Sequence, residues 1–446
     1  NGELTAWGNT TQGGKAPTGT GFTQVVQSAN SYAALKADGS ITAWGNSLYG
    51  ATDSPIGTGY TKIFSTAGAF AALKADGSIS TWGNTGFGNT NSPAGTGFTN
   101  IVTSSKSFAA LKADGSITAW GYSITGGTGA PVWTGFTQVT ATQQAFAALK
   151  PDGTIYSWGS TAFGSEPYSP RDSGYVQIYA DGGAFTGLRA DGSLKSWGAT
   201  AYGGSLQPTG TGYTQVFSAS FAFAALKADG SISSWGRTQY GGGTDSPTGT
   251  GYTAIASNRQ AFAALKADGS ITTWGDSLAG GTNATGVPTG TGYTRIISTV
   301  NSFAAIKADG SITSWGNSAN GGTGAPTDSG FIDFTANSSA FAAMKPDGSI
   351  TTWGLSPAGG ANSPTAPKGS GFAGFSNYAV SRPLWQGNAT GALPAAYIGR
   401  RVDQPGSNGV NAYQVGAYGI GIRSEVTAGS LPPGLRLDPA TGYLSG

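Results

Sequence analysis

The residues that could do chemistry recur on a fixed beat. Nine aspartates (Asp38, Asp76, Asp114, Asp152, Asp191, Asp229, Asp268, Asp309 and Asp347) each precede a glycine and each follow a lysine or arginine by two positions, as in Lys36, Lys74 and Arg189. Carboxylates repeated in this way could hold calcium or a cationic ligand. Turn chemistry accounts for the same pattern, because Asp before Gly favours a tight turn and bonds its own backbone two residues on. We adopt that second reading. The other 12 of the 21 acids are scattered, without the close carboxylate pair that glycoside hydrolysis requires.

The absences restrict the chemistry further. The 446 residues include no histidine and no cysteine. Ser-His-Asp and Cys-His catalysis are excluded, as are thiol redox chemistry and zinc or iron sites built on His or Cys. The expectation is a protein that is not an enzyme, with no catalytic residue, no cofactor and no metal. Gly241-Gly242-Gly243 and Gly280-Gly281 lack the Lys-Ser/Thr and following helix of a phosphate loop. A net charge of +2 without a basic cluster argues against nucleic acid. No apolar run approaches the roughly 18 residues of a membrane span. The chain opens on Asn1 without a signal peptide, which reads as a processed form or a fragment.

The elements that must position these residues come from one repeat, F-A-A-L-K-A-D-G-S-I-T-x-W-G. Its tryptophans are Trp7, Trp44, Trp82, Trp120, Trp158, Trp197, Trp235, Trp274, Trp315 and Trp353, spaced by 37, 38, 38, 38, 39, 38, 39, 41 and 38 residues. Only Trp133 and Trp385 of the 12 stand outside it. Each repeat reads as three strands, for example Phe98 to Ser104, Phe108 to Lys112 and Ser116 to Trp120. A Gly-, Pro-, Thr- and Ser-rich loop of about 13 residues follows, and no helical period appears. Pro151 and Pro346 precede the turn Asp-Gly in two repeats. A three-residue loop, a type I turn with a glycine bulge, accommodates that proline; a two-residue hairpin would place it at a paired position. This register sets Leu111 opposite Ile117 and Phe108 opposite Trp120. Both faces of the hairpin are then apolar and both must be covered, as in radially stacked blades. The repeat tryptophans accordingly read as inter-blade core. An aromatic side chain buries about 150–250 Å², and Trp120→Ala is expected to cost about 3–5 kcal/mol.

The run A-L-K-A-D-G-S-I-x-x-W-G-N-S-x-x-G, clearest at Ala34 to Gly50 and Ala72 to Gly88, resembles the regulator-of-chromosome-condensation repeat family of β-propellers. The short period looks most like its bacterial branch of three-stranded blades, which includes a propeller-type β-lactamase inhibitor. The resemblance implies an all-β fold: a propeller of about ten three-stranded blades over residues 1–390. It departs from the family in lacking the Gly/His pair before the second strand and in exceeding the usual seven blades. Strands at Phe372 to Tyr378 and Arg382 to Trp385 could join the N-terminal Asn1 to Gly8 in a composite blade that closes a ring; an open superhelical array is the alternative. Residues 391–446 end in L-P-P-G-L-x-L-D-x-x-T-G, similar to the immunoglobulin-like domain of bacterial surface proteins. They read as an incomplete β-sandwich with an open edge that could support self-assembly.

Function is expected where the repeats differ. Tyr122, Trp133, Tyr168, Arg171, Arg237 and Arg259 lie in the connections and are the candidate rim-binding residues. The expectation is a non-catalytic extracellular or cell-surface protein, a structural or adhesive scaffold that binds a protein or glycan on a cell surface. An inhibitor-type propeller and a phage tail-fibre component are alternatives.

Overall fold

The computed structural model describes residues 15–243 and 245–356, together with 4, 6, 360, 369–370, 436–437 and 444–445. Nine three-stranded antiparallel sheets follow one another in the order first-second-third strand. We number these blades 1 to 9; they span residues 22–45, 60–83, 98–121, 138–159, 175–198, 213–236, 252–275, 293–316 and 333–354. The chain is thus all-β, of propeller-type three-stranded blades. In blade 3 the strands are Phe98–Thr103, Ser107–Lys112 and Ile117–Gly121.

The expected register is present. Leu111 pairs with Ile117 and Phe108 with Trp120. The hairpin turn is the three-residue loop: Gly115 N–H donates to Lys112 O at 3.0 Å, and Gly115 takes φ +77°. Pro151 and Pro346 sit in the same turn, where no N–H is needed.

Both faces of blades 2 to 8 are covered. The Leu35/Ile41 face of blade 1 packs with Val26 and Ala33 against Tyr60, Ile63, Phe70, Ala72 and Trp82 of blade 2. The same apolar set recurs between successive blades. First strands meet first strands, so they form the inner edge of the stack. Leu4 packs on Phe22, Val25 and Ala34 of blade 1 as the third strand of a preceding blade would.

Two backbone seams sew the blades together. At one rim the turn carbonyls of each blade accept N–H groups from the entry of the next: Gly135 to Asp114 at 2.9 Å and Phe136 to Gly115 at 3.2 Å. At the other rim the turn between first and second strands donates onward, Ala29 to Ala67, Ala67 to Ser105 and Ser105 to Gln143, at 3.0–3.2 Å. The polarity of the two seams is opposite, which fixes the stacking direction.

The loop after the third strand departs from the expected irregular segment. It opens with one 3-10 turn, such as Ser47–Tyr49, capped by Asn46 and closed by Gly50 at φ +95°. A Cβ on Gly50 would lie 2.8 Å from the Phe70 ring of the next blade, so close packing requires glycine there. The residues of the composite closing blade, except Leu4 and Ala6, and the boundary at 390/391 lie outside the described residues. Of the residues expected to form a C-terminal sandwich, the two-stranded pair Arg436–Leu437 and Leu444–Ser445 is described.

Candidate functional site

The repeated charges are consumed within the blades. Asp38 Oδ1 accepts the Ser40 N–H at 2.8 Å and the Ser40 hydroxyl at 2.7 Å. The backbone N–H two residues on meets each of the other eight turn aspartates in the same way. These bonds hold the carboxyls below their ordinary range; for Asp114 the Ser116 N–H acts first and the Ser116 hydroxyl second. The cation two residues earlier lies over the aromatic ring that opens the first strand. Lys112 lies 4.8 Å from the Phe98 centroid, Lys227 4.8 Å from Tyr213, and Arg189 4.5 Å from Tyr175. Among the described residues, no group of three or more acidic side chains could hold a metal ion.

The repeat tryptophans of blades 2 to 9 form core. Phe146 and Trp158 stack at 5.2 Å between ring centroids and 14° between planes. Trp82, Trp158, Trp197, Trp274, Trp315 and Trp353 each donate their indole N–H to the carbonyl of the glycine that closes the 3-10 turn before their own blade. Trp120 is equally buried, but its Nε1 has no partner. Their faces are taken by these stacks, so they do not form a sugar-stacking array.

The structure separates the six candidate rim residues into two groups. Tyr122, Arg237 and Arg259 lie on the rim made by the 3-10 turns and the turns between first and second strands. Tyr122 precedes the turn Ser123–Thr125, and Lys106 stands 5.5 Å over its ring. Arg237 precedes the turn Thr238–Tyr240 and covers the Tyr240 ring at 4.9 Å and Phe221 at 5.8 Å. Arg259 is exposed, and its backbone belongs to the donating seam through Val300.

The other three lie in the long connections. Trp133, 55% exposed, sets its edge against Tyr156 at 5.4 Å, and Val132 beside it is 90% exposed. Tyr168 is exposed. Arg171 lines a cleft of about 280 Å³ with Thr154, Ile155, Glu166, Pro170 and Asp172. Asp172 also bridges to Arg189 and accepts the Tyr175 hydroxyl at 2.9 Å.

One feature of the rim was not anticipated from the sequence. Phe163, Tyr202, Phe221 and Tyr240 form a continuous aromatic run across blades 4, 5 and 6, with centroids 5.9, 4.5 and 5.0 Å apart. The available signal was an aromatic closing several 3-10 turns, at Tyr49, Phe87, Phe163, Tyr202 and Tyr240.

No family model and no curated protein matches the chain. Solved structures similar to it include the ectodomain of the Physcomitrella patens receptor kinase CR4, with 20% identity over 58% of this chain and 74% of that one, at a TM-score of 0.37. The computationally designed Ika8 protein is 18% identical over 71% of this chain and 99% of its own, at a TM-score of 0.36. Prp20p of Saccharomyces cerevisiae, reported with its binding to Gsp1p and histones, is 17% identical over 57% and 71%, at 0.34. Among the described residues no helix is long and apolar enough to cross a membrane.

Proposed function

We propose that the chain is a non-catalytic extracellular scaffold of the bacterial three-stranded-blade kind, with an immunoglobulin-like C-terminal end. It binds a protein or glycan on a cell surface through the rim that carries Tyr122, Arg237 and Arg259. One observation carries this reading. The repeated Asp and Lys/Arg residues are engaged in turns and ring contacts, while Tyr122, Arg237 and Arg259, at positions that differ between blades, are left exposed on the rim. A constant frame with variable exposed Tyr and Arg suits recognition, since those residue types dominate binding hot spots.

The test compares wild type with the triple variant Tyr122→Ala, Arg237→Ala and Arg259→Ala. Both are applied to intact cells and to a glycan array. Loss of binding with an unchanged melting temperature is expected. Unchanged binding would overturn the rim assignment, and turnover of any glycan would overturn the non-catalytic reading.

A second reading, an inhibitor-type propeller, is favoured by Val132 and Trp133, an exposed apolar pair on one loop that could fill a pocket of a target protein. Trp133→Ala separates the two, since it would abolish binding in this case alone.

A further inference from the structure

Six blades share one side-chain bond. The residue just after the first strand donates to the last carbonyl of the following 3-10 turn, 21 residues on. The pairs are Ser28 with Tyr49 (3.2 Å), Thr66 with Phe87, Ser104 with Thr125 (3.0 Å), Thr142 with Phe163 (3.3 Å), Asn258 with Ala279 (2.6 Å) and Thr299 with Asn320 (3.0 Å). In blade 5 the same position holds Asp181, and the carbonyl 21 residues on, at the same offset, belongs to Tyr202.

Asn258 shows what the position requires. Its Oδ1 accepts the N–H groups of Gln260 and Ala261, both at 2.9 Å, while its Nδ2 donates to Ala279. Asp181 uses its Oδ1 in the same way, accepting Gly183 and Ala184 N–H at 2.8 Å each. Its Oδ2, the counterpart of the amide nitrogen, is fully buried and has no partner. An ionised carboxylate is acceptor-only and cannot serve a carbonyl; a protonated one carries an O–H donor.

We propose that Asp181 is held as the neutral acid, its Oδ2–H donating to the Tyr202 carbonyl, and that losing this proton unlatches the 3-10 turn of blade 5 from the rim. Burial pushes this carboxyl well above the usual range, against the opposing pull of the two backbone bonds.

The surroundings give the latch something to release. The donating backbone seam lacks its link from Gly182 to Ser220, and the Ser220 hydroxyl is itself buried without a partner. The Tyr202 ring lies so close that a Cβ on Gly182 would sit 2.5 Å from it and one on Gly183 2.8 Å. Tyr202 is the titratable group that feels the charge of Asp181, and Arg259 and Arg237 act on Tyr202 from the neighbouring blades. The latch holds whether or not the rim binds a partner.

The sign of the effect follows. A carboxyl whose folded pKa is raised stabilises fully below its unfolded pKa of about 3.9 and loses that contribution as pH rises toward the folded value. Melting temperatures of the full chain are compared between wild type and Asp181→Asn from about pH 4 to 8, the range above that unfolded pKa. Asparagine keeps the acceptor and supplies a permanent donor. The two proteins are expected to be closest at acid pH, with the variant gaining steadily over wild type toward neutral. Wild type at neutral pH should also show the infrared carbonyl band of a buried carboxylic acid, absent from the variant. A pH-independent gap, or no such band in wild type, would overturn the proposal. Should the variant not fold, Asp181→Thr, the donor used in blades 2, 4 and 8, replaces it, and the band in wild type decides alone.

Discussion

Trp274 donates its indole N–H to the carbonyl of Gly241, 33 residues earlier and in the gap before its own blade, at 3.2 Å. One side chain thus fills the inter-blade core and also satisfies the end of the preceding 3-10 turn. Trp274→Ala is expected to cost about 3–5 kcal/mol, the range for large aromatics in a core. Trp274→Phe keeps most of the apolar area but leaves a buried carbonyl unpaired, which costs a further 1–3 kcal/mol or so. Trp120 has no such bond to lose. Trp120→Phe is therefore expected to be milder than Trp274→Phe by about 1 kcal/mol. Urea midpoints of the two variants check this, and equal shifts would contradict it.

Gly115 and Gly135 share a left-handed backbone but differ in surroundings. Their φ values are +77° and +86°. A Cβ on Gly135 meets nothing within 4 Å, whereas one on Gly115 would lie 2.3 Å from the Phe136 nitrogen at the entry to the next blade. Gly135→Ala should cost only the backbone term, about 1–2 kcal/mol. Gly115→Ala must also break the seam between blades 3 and 4, so its thermal midpoint is expected to fall distinctly further. Equal midpoints would show that the turn does not hold the next blade.

The blade itself was readable from the sequence because its constraints are local. The three-residue turn followed from Pro151 and Pro346, and the pairing of Phe108 with Trp120 followed from the turn. The assignment of the turn aspartates to backbone bonding holds at all nine positions. The inter-blade partners were not readable. The Asp114 and Gly115 carbonyls receive bonds from residues about 20 positions on, and no side-chain pattern marks a backbone acceptor. The 3-10 turns were missed because three residues make no helical period, although N-S-x-x-G spelled out cap and closing glycine. In the sequence, type and variability alone mark the candidate rim residues. Neither property distinguishes Arg237, laid over Tyr240, from Arg171, which lines a separate cleft.

The turn aspartates set the acid limb of stability. Their carboxyls lie below the ordinary range because a backbone N–H and a hydroxyl stabilise the charged form, as Ser78 does for Asp76. A carboxyl with a depressed folded pKa contributes stability above its unfolded pKa of about 3.9 and loses it as pH falls through the folded value. Nine such groups act together, so the melting temperature should drop steeply below about pH 4. This limb is opposite in sign to the effect of Asp181. A profile that stays flat as the carboxyls are fully protonated at low pH would show that the turn bonds contribute nothing to folding.

Lys227 tests whether the repeated cation acts through charge or through its hydrocarbon stem. Its Nζ lies 4.8 Å above the Tyr213 ring, opposite which it is paired in the ladder. Lys227→Met keeps a flexible apolar stem over the ring and removes the charge. If attraction to the ring is what matters, the variant loses about 0.5–1 kcal/mol, the usual worth of such a contact near the surface. Lys227→Arg should be neutral, since Arg189 fills the equivalent position over Tyr175 at 4.5 Å. Were methionine as stable as lysine, the cation would serve solubility alone, and its place two residues before Asp229 would have no energetic meaning. Ring attraction depends little on distant charges, so raising salt should leave the difference between lysine and methionine nearly unchanged, whereas pairing with Asp229 through solvent would be screened away within a Debye length of about 10 Å at 0.1 M.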